Sequence, residues 1–258
     1  MKTIIDQAYI SIKNPIENIL QNFDSSGELL VKGRRNTIKI FEVEQMLLNV
    51  KAFRKPNFIN KFIYRFIRKS KAQRSFEFAK ILLQKNIGTP KPIAFAQENN
   101  TITLGKSFYI CEHINADLTF RELVEIPDYP EHEIILRAFT RFCIRLHDAG
   151  VEFKDHSPGN TLITKSASQT YDFYLVDLNR MRFHDKMSFE LRMKNLCRLT
   201  PKKEMVMIMA NEYAKHYTNH SEQQIFDLLW NETSHFQERF HKKQRMKKKL
   251  KFWKKINF

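Results

Sequence analysis

Apolar residues gather into three short β-like stretches near the start of the chain. Leu29-Leu30-Val31 runs into the turn residues Gly33-Arg34-Arg35-Asn36, and Thr37-Ile38-Lys39-Ile40-Phe41 follows. After a turn near Glu44-Gln45 comes Met46-Leu47-Leu48-Asn49-Val50-Lys51-Ala52-Phe53. Three such stretches joined by short turns predict an antiparallel meander. The pattern then changes: Phe76, Ala79 and Leu83 recur at helical spacing, and Gly88-Thr89-Pro90 stops that helix. Pro92-Ile93-Ala94-Phe95 and Ser107-Phe108-Tyr109-Ile110-Cys111 read as two more strands around an Asn99-Asn100 turn, which completes a five-stranded lobe. Residues 115–130 look irregular apart from a short helix at Thr119–Val124. Glu131–Ala149 is a long helix with Ile135, Phe139, Phe142 and Leu146 on one side, capped by Gly150. Thr161-Leu162-Ile163 and Tyr174-Leu175-Val176 are short strands. Residues 188–218 are helical with a break at Pro201, and Ser221 with Gln224 three positions on starts a helix over 221–241. Residues 1–25 mix short apolar pieces with Asn, Pro and Ser and predict no more than a lead-in. The fold class is α+β: a small antiparallel β lobe with one helix over residues 1–113, a mainly helical lobe over 114–238, and a basic amphipathic tail over 239–258.

Composition changes this picture little. Apolar content of 42% across 258 residues supports a sizeable core, and no apolar run approaches the roughly 20 residues of a spanning helix. Cys111, Cys143 and Cys197 lie far apart with no C-x-x-C, so they read as buried free thiols of a reducing compartment, and a cytoplasmic protein is expected. The Met205-Val206-Met207-Ile208-Met209 run reads as helix core. Charge is more informative. Residues 51–80 hold ten Lys/Arg and one acid, Glu77, while residues 239–258 hold ten Lys/Arg and no acid. These two stretches carry the whole positive excess, and the rest of the chain is slightly acidic. Two confined basic patches suit a surface that meets a polyanion. In the tail, Met246, Leu250 and Trp253 fall at i, i+4 and i+7, with Lys247, Lys248, Lys251 and Lys255 flanking or opposite. An interfacial helix on an anionic bilayer is the expectation there, and nucleic acid is not, because no reading motif accompanies the charge.

The candidate chemistry sits in Gly150-Val151-Glu152-Phe153-Lys154-Asp155-His156-Ser157-Pro158-Gly159-Asn160. Asp155 and Asn160 lie five residues apart, after a helix and before a strand, and Asp177 closes the next apolar strand seventeen residues later. Protein kinases space a catalytic Asp, a metal-binding Asn and a second metal-binding Asp in this way. The first takes the proton of the attacking hydroxyl, and the other two hold the Mg²⁺ that bridges the nucleotide phosphates. Lys51, ending the third strand, occupies the place of the lysine that contacts the α- and β-phosphates. Glu77, the only acid between residues 45 and 97, is its expected carboxylate partner, the competing assignment being a pair within its own helix with Arg74 or Lys80. Gly33 has no second glycine in its turn, so no G-x-G-x-x-G is present. Backbone amides there, helped by Arg34 and Arg35, are the candidate phosphate contacts, and Glu112-His113-Ile114 is the expected hinge over the adenine. His147 and His156 read as helix-end and loop hydrogen-bonding groups.

In this arrangement the sequence resembles the lipopolysaccharide kinase family, the Kdo- and heptose-kinase group with a protein-kinase-like fold. The residues that carry the resemblance are G-R-R-N-T-I-K-I-F-E-V, L-N-V-K-A-F-R-K-P, A-Q-R-S-F-E-F-A, T-P-K-P-I-A, R-L-H-D-A-G-V-E-F-K-D-H-S-P-G-N and L-V-D-L-N-R-M-R-F, in order from about residue 33 to 183. The resemblance implies a two-lobe kinase that uses ATP and Mg²⁺ to phosphorylate a sugar hydroxyl of the lipopolysaccharide core or a lipid-linked saccharide. It would work at the inner face of the cytoplasmic membrane, held there peripherally. It also implies Lys51 on phosphate, Glu77 orienting it, Asp155 as base, and Asn160 and Asp177 on metal. Three positions depart from the protein-kinase pattern. Phe153 stands where the loop histidine would be. Ser157 stands where Ser/Thr kinases carry a lysine, with Lys154 and Arg180 as candidate substitutes. Asn179 replaces the last residue of D-F-G. Few residues after Asp177 remain for a peptide-docking segment, which favours a sugar or lipid hydroxyl over a protein acceptor. The rival readings are a protein or small-molecule kinase of the same fold, and a non-catalytic basic module that grips membrane or nucleic acid.

Overall fold

The structure is a computed structural model, and it describes residues 1–33, 36–54, 69–99 and 104–256. The chain divides into two compact units. The first is Met1–Asp117 together with Tyr174–Arg180, and the second is Leu118–Phe173 together with Met181–Phe258.

The first unit is built on a six-stranded antiparallel sheet: β1 (Lys2–Ile5), β2 (Glu28–Lys32), β3 (Asn36–Val43), β4 (Met46–Phe53), β5 (Pro92–Asn99) and β6 (Leu104–Glu112), in the order β1-β5-β6-β4-β3-β2. The β3–β4 hairpin closes in register, Val43 opposite Met46 and Ile38 opposite Lys51. Glu44 and Gln45 both take positive φ, 48° and 67°, as a two-residue hairpin turn matching the strand twist requires. The sixth strand, β1, comes from the stretch expected to be a lead-in. That expectation is corrected further by helix α1 (Lys13–Gln21). Ile12, Ile16, Leu20 and Phe23 pack against Phe41, Leu48, Val50, Phe108 and Ile110 on one face of the sheet. Pro15 falls in the first turn of α1, where its missing N–H is no loss. Apolar residues at 12, 16, 19, 20 and 23 are the helical stripe that could have revealed it. Complete burial of a side chain such as Ile16 contributes roughly 1.5–3 kcal/mol.

Because side chains alternate along a strand, Lys51 and Tyr109 point to the other face, where helix α2 (Lys71–Gln84) packs. Ser70 caps α2 by accepting from the Gln73 amide, and Phe76 meets the Phe95 ring at 5.4 Å. The chain leaves α2 through Gly88 and Thr89. The Gly88 carbonyl accepts from the Leu175 amide (2.9 Å), and the Thr89 hydroxyl donates to the Leu175 carbonyl (2.8 Å). These two bonds fasten the segment that carries Asp177 to the first unit.

In the second unit, β7 (Leu118–Thr119) pairs with β9 (Thr161–Lys165), β9 with β10 (Tyr171–Leu175), and β8 (Val151–Phe153) with β11 (Met181–Phe183). The helices are α3 (Phe120–Glu125), α4 (His132–Asp148), α5 (Phe189–Leu196), α6 (Lys203–His216) and α7 (Glu222–Ile256). In α4, Ile135, Phe139, Phe142 and Leu146 are buried, as their spacing predicts. Gly150 ends it at φ 73°, and a Cβ there would lie 1.9 Å from the His184 carbonyl oxygen, so glycine is demanded twice over. Pro201 separates α5 from α6. Met205 and Met209 are buried and Met207 is exposed. Ser221 and Gln224 form the reciprocal cap expected of them. α4 and α6 are joined by Glu212, a buried carboxylate that receives Arg137, Arg141 and Lys215. Among the described residues no helix is long and apolar enough to cross a membrane, and the three cysteines are free and buried.

Candidate active site

The nucleotide-binding candidates of the first unit meet at the end of β4. Lys51 is almost buried, and its Nζ donates to Asp177 Oδ1 at 2.6 Å. Asp177 sits in the left-handed region at φ 59°, a conformation Asp tolerates at a cost of order 1 kcal/mol. Asn179 Nδ2 donates to the same Oδ1 at 2.7 Å. The replacement of the last D-F-G residue by Asn179 therefore supplies a second donor that fixes the Asp177 carboxylate. The expected Lys51–Glu77 pair is not made, and this corrects the sequence reading. Glu77 instead receives Lys69 Nζ on both oxygens (2.9 and 2.8 Å) and Gln73 Nε2 (3.0 Å). Lys69 lies just before the Ser70 cap and reaches back along the first turns of α2, and Gln73 stands one turn before Glu77, so both partners are local. Lys80, the in-helix rival, bonds Asp6. Gly33 makes a close turn, its N–H donating to the Asn36 carbonyl (2.9 Å). Arg34 and Arg35 lie outside the described residues. At the expected hinge, the His113 N–H donates to the Leu47 carbonyl, and Tyr9, from the unforeseen amino-terminal segment, donates its hydroxyl to Glu112 (2.6 Å).

The candidate base belongs to the second unit. Pro158-Gly159-Asn160 forms a single 3₁₀ turn between Asp155 and β9. The Asn160 amide nitrogen donates to the Asp155 carbonyl at 2.8 Å and closes the loop. That bond is made by the donor end of the carboxamide, so Oδ1, which can only accept, is the end suited to a cation. Arg198, just past α5, donates from one nitrogen to the Lys154 carbonyl (2.6 Å) and to Asp155 Oδ1 (3.3 Å). Asn195 donates to the Phe153 carbonyl (2.9 Å). Neither residue stands out in the sequence. Their only signal is a polar pair three apart at the end of an amphipathic helix. Lys154, a candidate for the missing loop lysine, lies 3.9 Å from Glu152.

Both histidines are buried. His147 bonds the Tyr213 hydroxyl (3.0 Å) and Asn195 Oδ1 (3.3 Å), and burial depresses its pKa to about 3. His156 lies against the rings of Phe139 and Phe153, and burial depresses it to about 4. Its ring lies beside Asn195, and among the described residues no hydrogen bond of ordinary geometry reaches its nitrogens.

A family model described as lipopolysaccharide kinase (Kdo/WaaP) matches residues 31–247. The chain belongs to that family. A search of curated proteins finds no match. Among solved structures, one titled "WaaP in complex with acyl carrier protein" superposes with a TM-score of 0.64 at 14% identity, covering 94% of this chain and 99% of that one. The fold is therefore protein-kinase-like, and the chain is an ATP-dependent lipopolysaccharide kinase acting on a sugar hydroxyl. Asn160 in the second unit and Asp177 in the first each carry an oxygen of the hard type that suits Mg²⁺. Among the described residues no cluster of three or more His, Cys, Asp or Glu could hold a metal by itself.

Proposed function

We propose that this lipopolysaccharide kinase transfers the γ-phosphate of ATP to a Kdo or heptose hydroxyl of the lipopolysaccharide core, at the cytoplasmic face of the membrane. The observation that carries the reading is the loop from Asp155 to Asn160, closed by the Asn160 side chain onto the Asp155 carbonyl. Asp155 orients the acceptor hydroxyl and takes its proton as the phosphorus–oxygen bond forms. Lys51 binds the nucleotide phosphates, and the backbone of the Gly33 turn with Arg34 and Arg35, which lie outside the described residues, is the further candidate for phosphate contact. Asn160 and Asp177 would hold Mg²⁺, which supplies charge neutralisation on the transferring phosphoryl group. Lys51 and Asp177 satisfy one another here, so a bound nucleotide and metal would each take one member of an existing pair. Beyond residue 237 every described side chain of α7 is exposed. The basic residues among them are our candidates for contact with anionic lipid. An acyl carrier protein, the partner in the WaaP structure, is the competing occupant of such a surface.

Incubating the purified protein with γ-labelled ATP, Mg²⁺ and core-truncated lipopolysaccharides tests the acceptor. Label should enter only species that retain the acceptor sugar. Label in protein or in small molecules, with none in any lipopolysaccharide, would favour the rival kinase readings.

A further inference from the structure

Phe153 leaves the loop without the histidine that kinases of this fold use to brace it, yet the loop is held. We propose that Asn195 and Arg198, three residues apart where α5 ends, are positioning residues for phosphoryl transfer that clamp Phe153–Asp155 and fix the Asp155 carboxylate. This rests on the reading of Asp155 as the base.

The clamp grips two successive carbonyls. Asn195 Nδ2 takes that of Phe153 at 2.9 Å, and an Arg198 guanidinium nitrogen takes that of Lys154 at 2.6 Å. The same Arg198 nitrogen reaches Asp155 Oδ1 at 3.3 Å, so one planar group spans the peptide before the base and the base itself. A lysine ammonium has donors enough for both acceptors, but as a point charge on a mobile stem it has no plane for a neighbour to fix. The plane of Arg198 is set by the Phe236 ring of α7, whose centroid lies 5.4 Å from the guanidinium carbon. Asn195 is oriented from behind. Its Oδ1 can only accept, so the proton of the neutral His147 ring lies on Nε2 and Nδ1 accepts from the Tyr213 hydroxyl. Tyr213 in turn accepts from Arg192 at 3.4 Å. The chain Arg192–Tyr213–His147–Asn195 is buried throughout and ends on the loop backbone. Such a chain resists displacement, since each buried polar group would lose its partner if the loop shifted.

A misplacement of about 1 Å costs on the order of 10²-fold in rate. Arg198→Met keeps most of the apolar stem against Phe236 while removing both hydrogen bonds. With γ-labelled ATP and core-truncated lipopolysaccharide, we expect kcat to fall about 10²-fold while the KM for ATP stays within about twofold. Methylguanidine added to Arg198→Ala should restore part of the lost rate, and Arg198→Lys should fall between Met and wild type. In an Asp155→Asn background, Arg198→Met should cost less than about threefold more, because Arg198 acts through Asp155. Wild-type kcat in Arg198→Met beside an inactive Asp155→Asn would overturn the proposal and leave the base assignment standing. An equal loss from Arg198→Met in both backgrounds would overturn it too. Near-wild-type turnover in Asp155→Asn alone would remove the base and the clamp's purpose together. If Arg198→Met fails to fold, Arg198→Lys and its kcat-against-KM split decide on the same criteria.

Discussion

Asp177 carries two donors on one oxygen and a backbone in the left-handed region, so its carboxylate is held ready at some conformational cost. Replacing it by Asn keeps the size and removes the charge a hard cation needs. Asp177→Asn should weaken Mg²⁺-dependent ATP binding at least tenfold, read by thermal shift with and without metal, and should leave metal-free nucleotide binding much less changed. An unaltered metal response would place the metal elsewhere. Asp155, by contrast, is the proposed base, and Asp155→Asn should lower kcat by about 10²–10⁴ with ATP binding intact. The positions proposed for the site were legible as a pattern because they lie at fixed spacing along strands and turns: Lys51 on β4, Asp155 and Asn160 in one loop, and Asp177 just past β10. Glu77 was misassigned because its actual partners are near neighbours in sequence, and a lone acid in a basic segment has several cations to choose from.

Elements were legible where one periodicity ran long enough. The β3–β4 hairpin, α2, α4 and the α7 cap follow from alternation, helical stripes and turn residues. The amino-terminal helix α1 was hidden by its shortness, by Pro15, and by an Asn-rich sequence that resembles a loop. Asn195 and Arg198 were hidden for a different reason. A helix end shows which face is apolar, not which distant carbonyl a polar residue on it will reach. Helix α7 is the element whose two halves differ most. Ile225 and Leu229 are buried, whereas Phe240 and Met246 are about half exposed amid basic side chains. Deleting residues 242–258 should release the protein from anionic vesicles at moderate salt, since each basic residue near such a surface is worth about 1 kcal/mol. The truncated protein should still phosphorylate a delipidated acceptor. Sedimentation with anionic vesicles undiminished by the deletion would exclude the tail as anchor.

At the scale of the whole molecule, stability is tied to pH through groups the chemistry does not use. His147 and His156 are depressed to about 3 and about 4 by burial. A depressed histidine is neutral when folded and takes a proton when unfolded, so stability is full above the unfolded value near 6.5 and falls as pH drops below it. With both residues the loss approaches about 2.7 kcal/mol per pH unit in the middle of that window. Glu212 is also lowered, to about 2, by bonds to Lys215, Arg141 and Arg137 that outweigh its burial. It adds a further loss below about pH 4.5. Urea unfolding at pH 7, 6 and 5 should show the midpoint falling steadily, and a flat profile would mean the two rings are protonated in the folded state.

The three buried cysteines have a consequence of another kind. Burial pushes Cys111 up to about 12 and Cys197 up to about 11, and raises Cys143 as well, so none offers an accessible thiolate at neutral pH. Thiolate is the reactive species, so an alkylating reagent must wait for the surrounding structure to open. Cys111 belongs to the first unit and Cys143 and Cys197 to the second. Alkylation followed by mass spectrometry therefore supplies two internal clocks in one wild-type chain. If Lys51 binds nucleotide as proposed, ATP with Mg²⁺ should slow the clock at Cys111 on β6, the strand paired with β4, and comparing it with the other two would show whether the two units open together or one at a time.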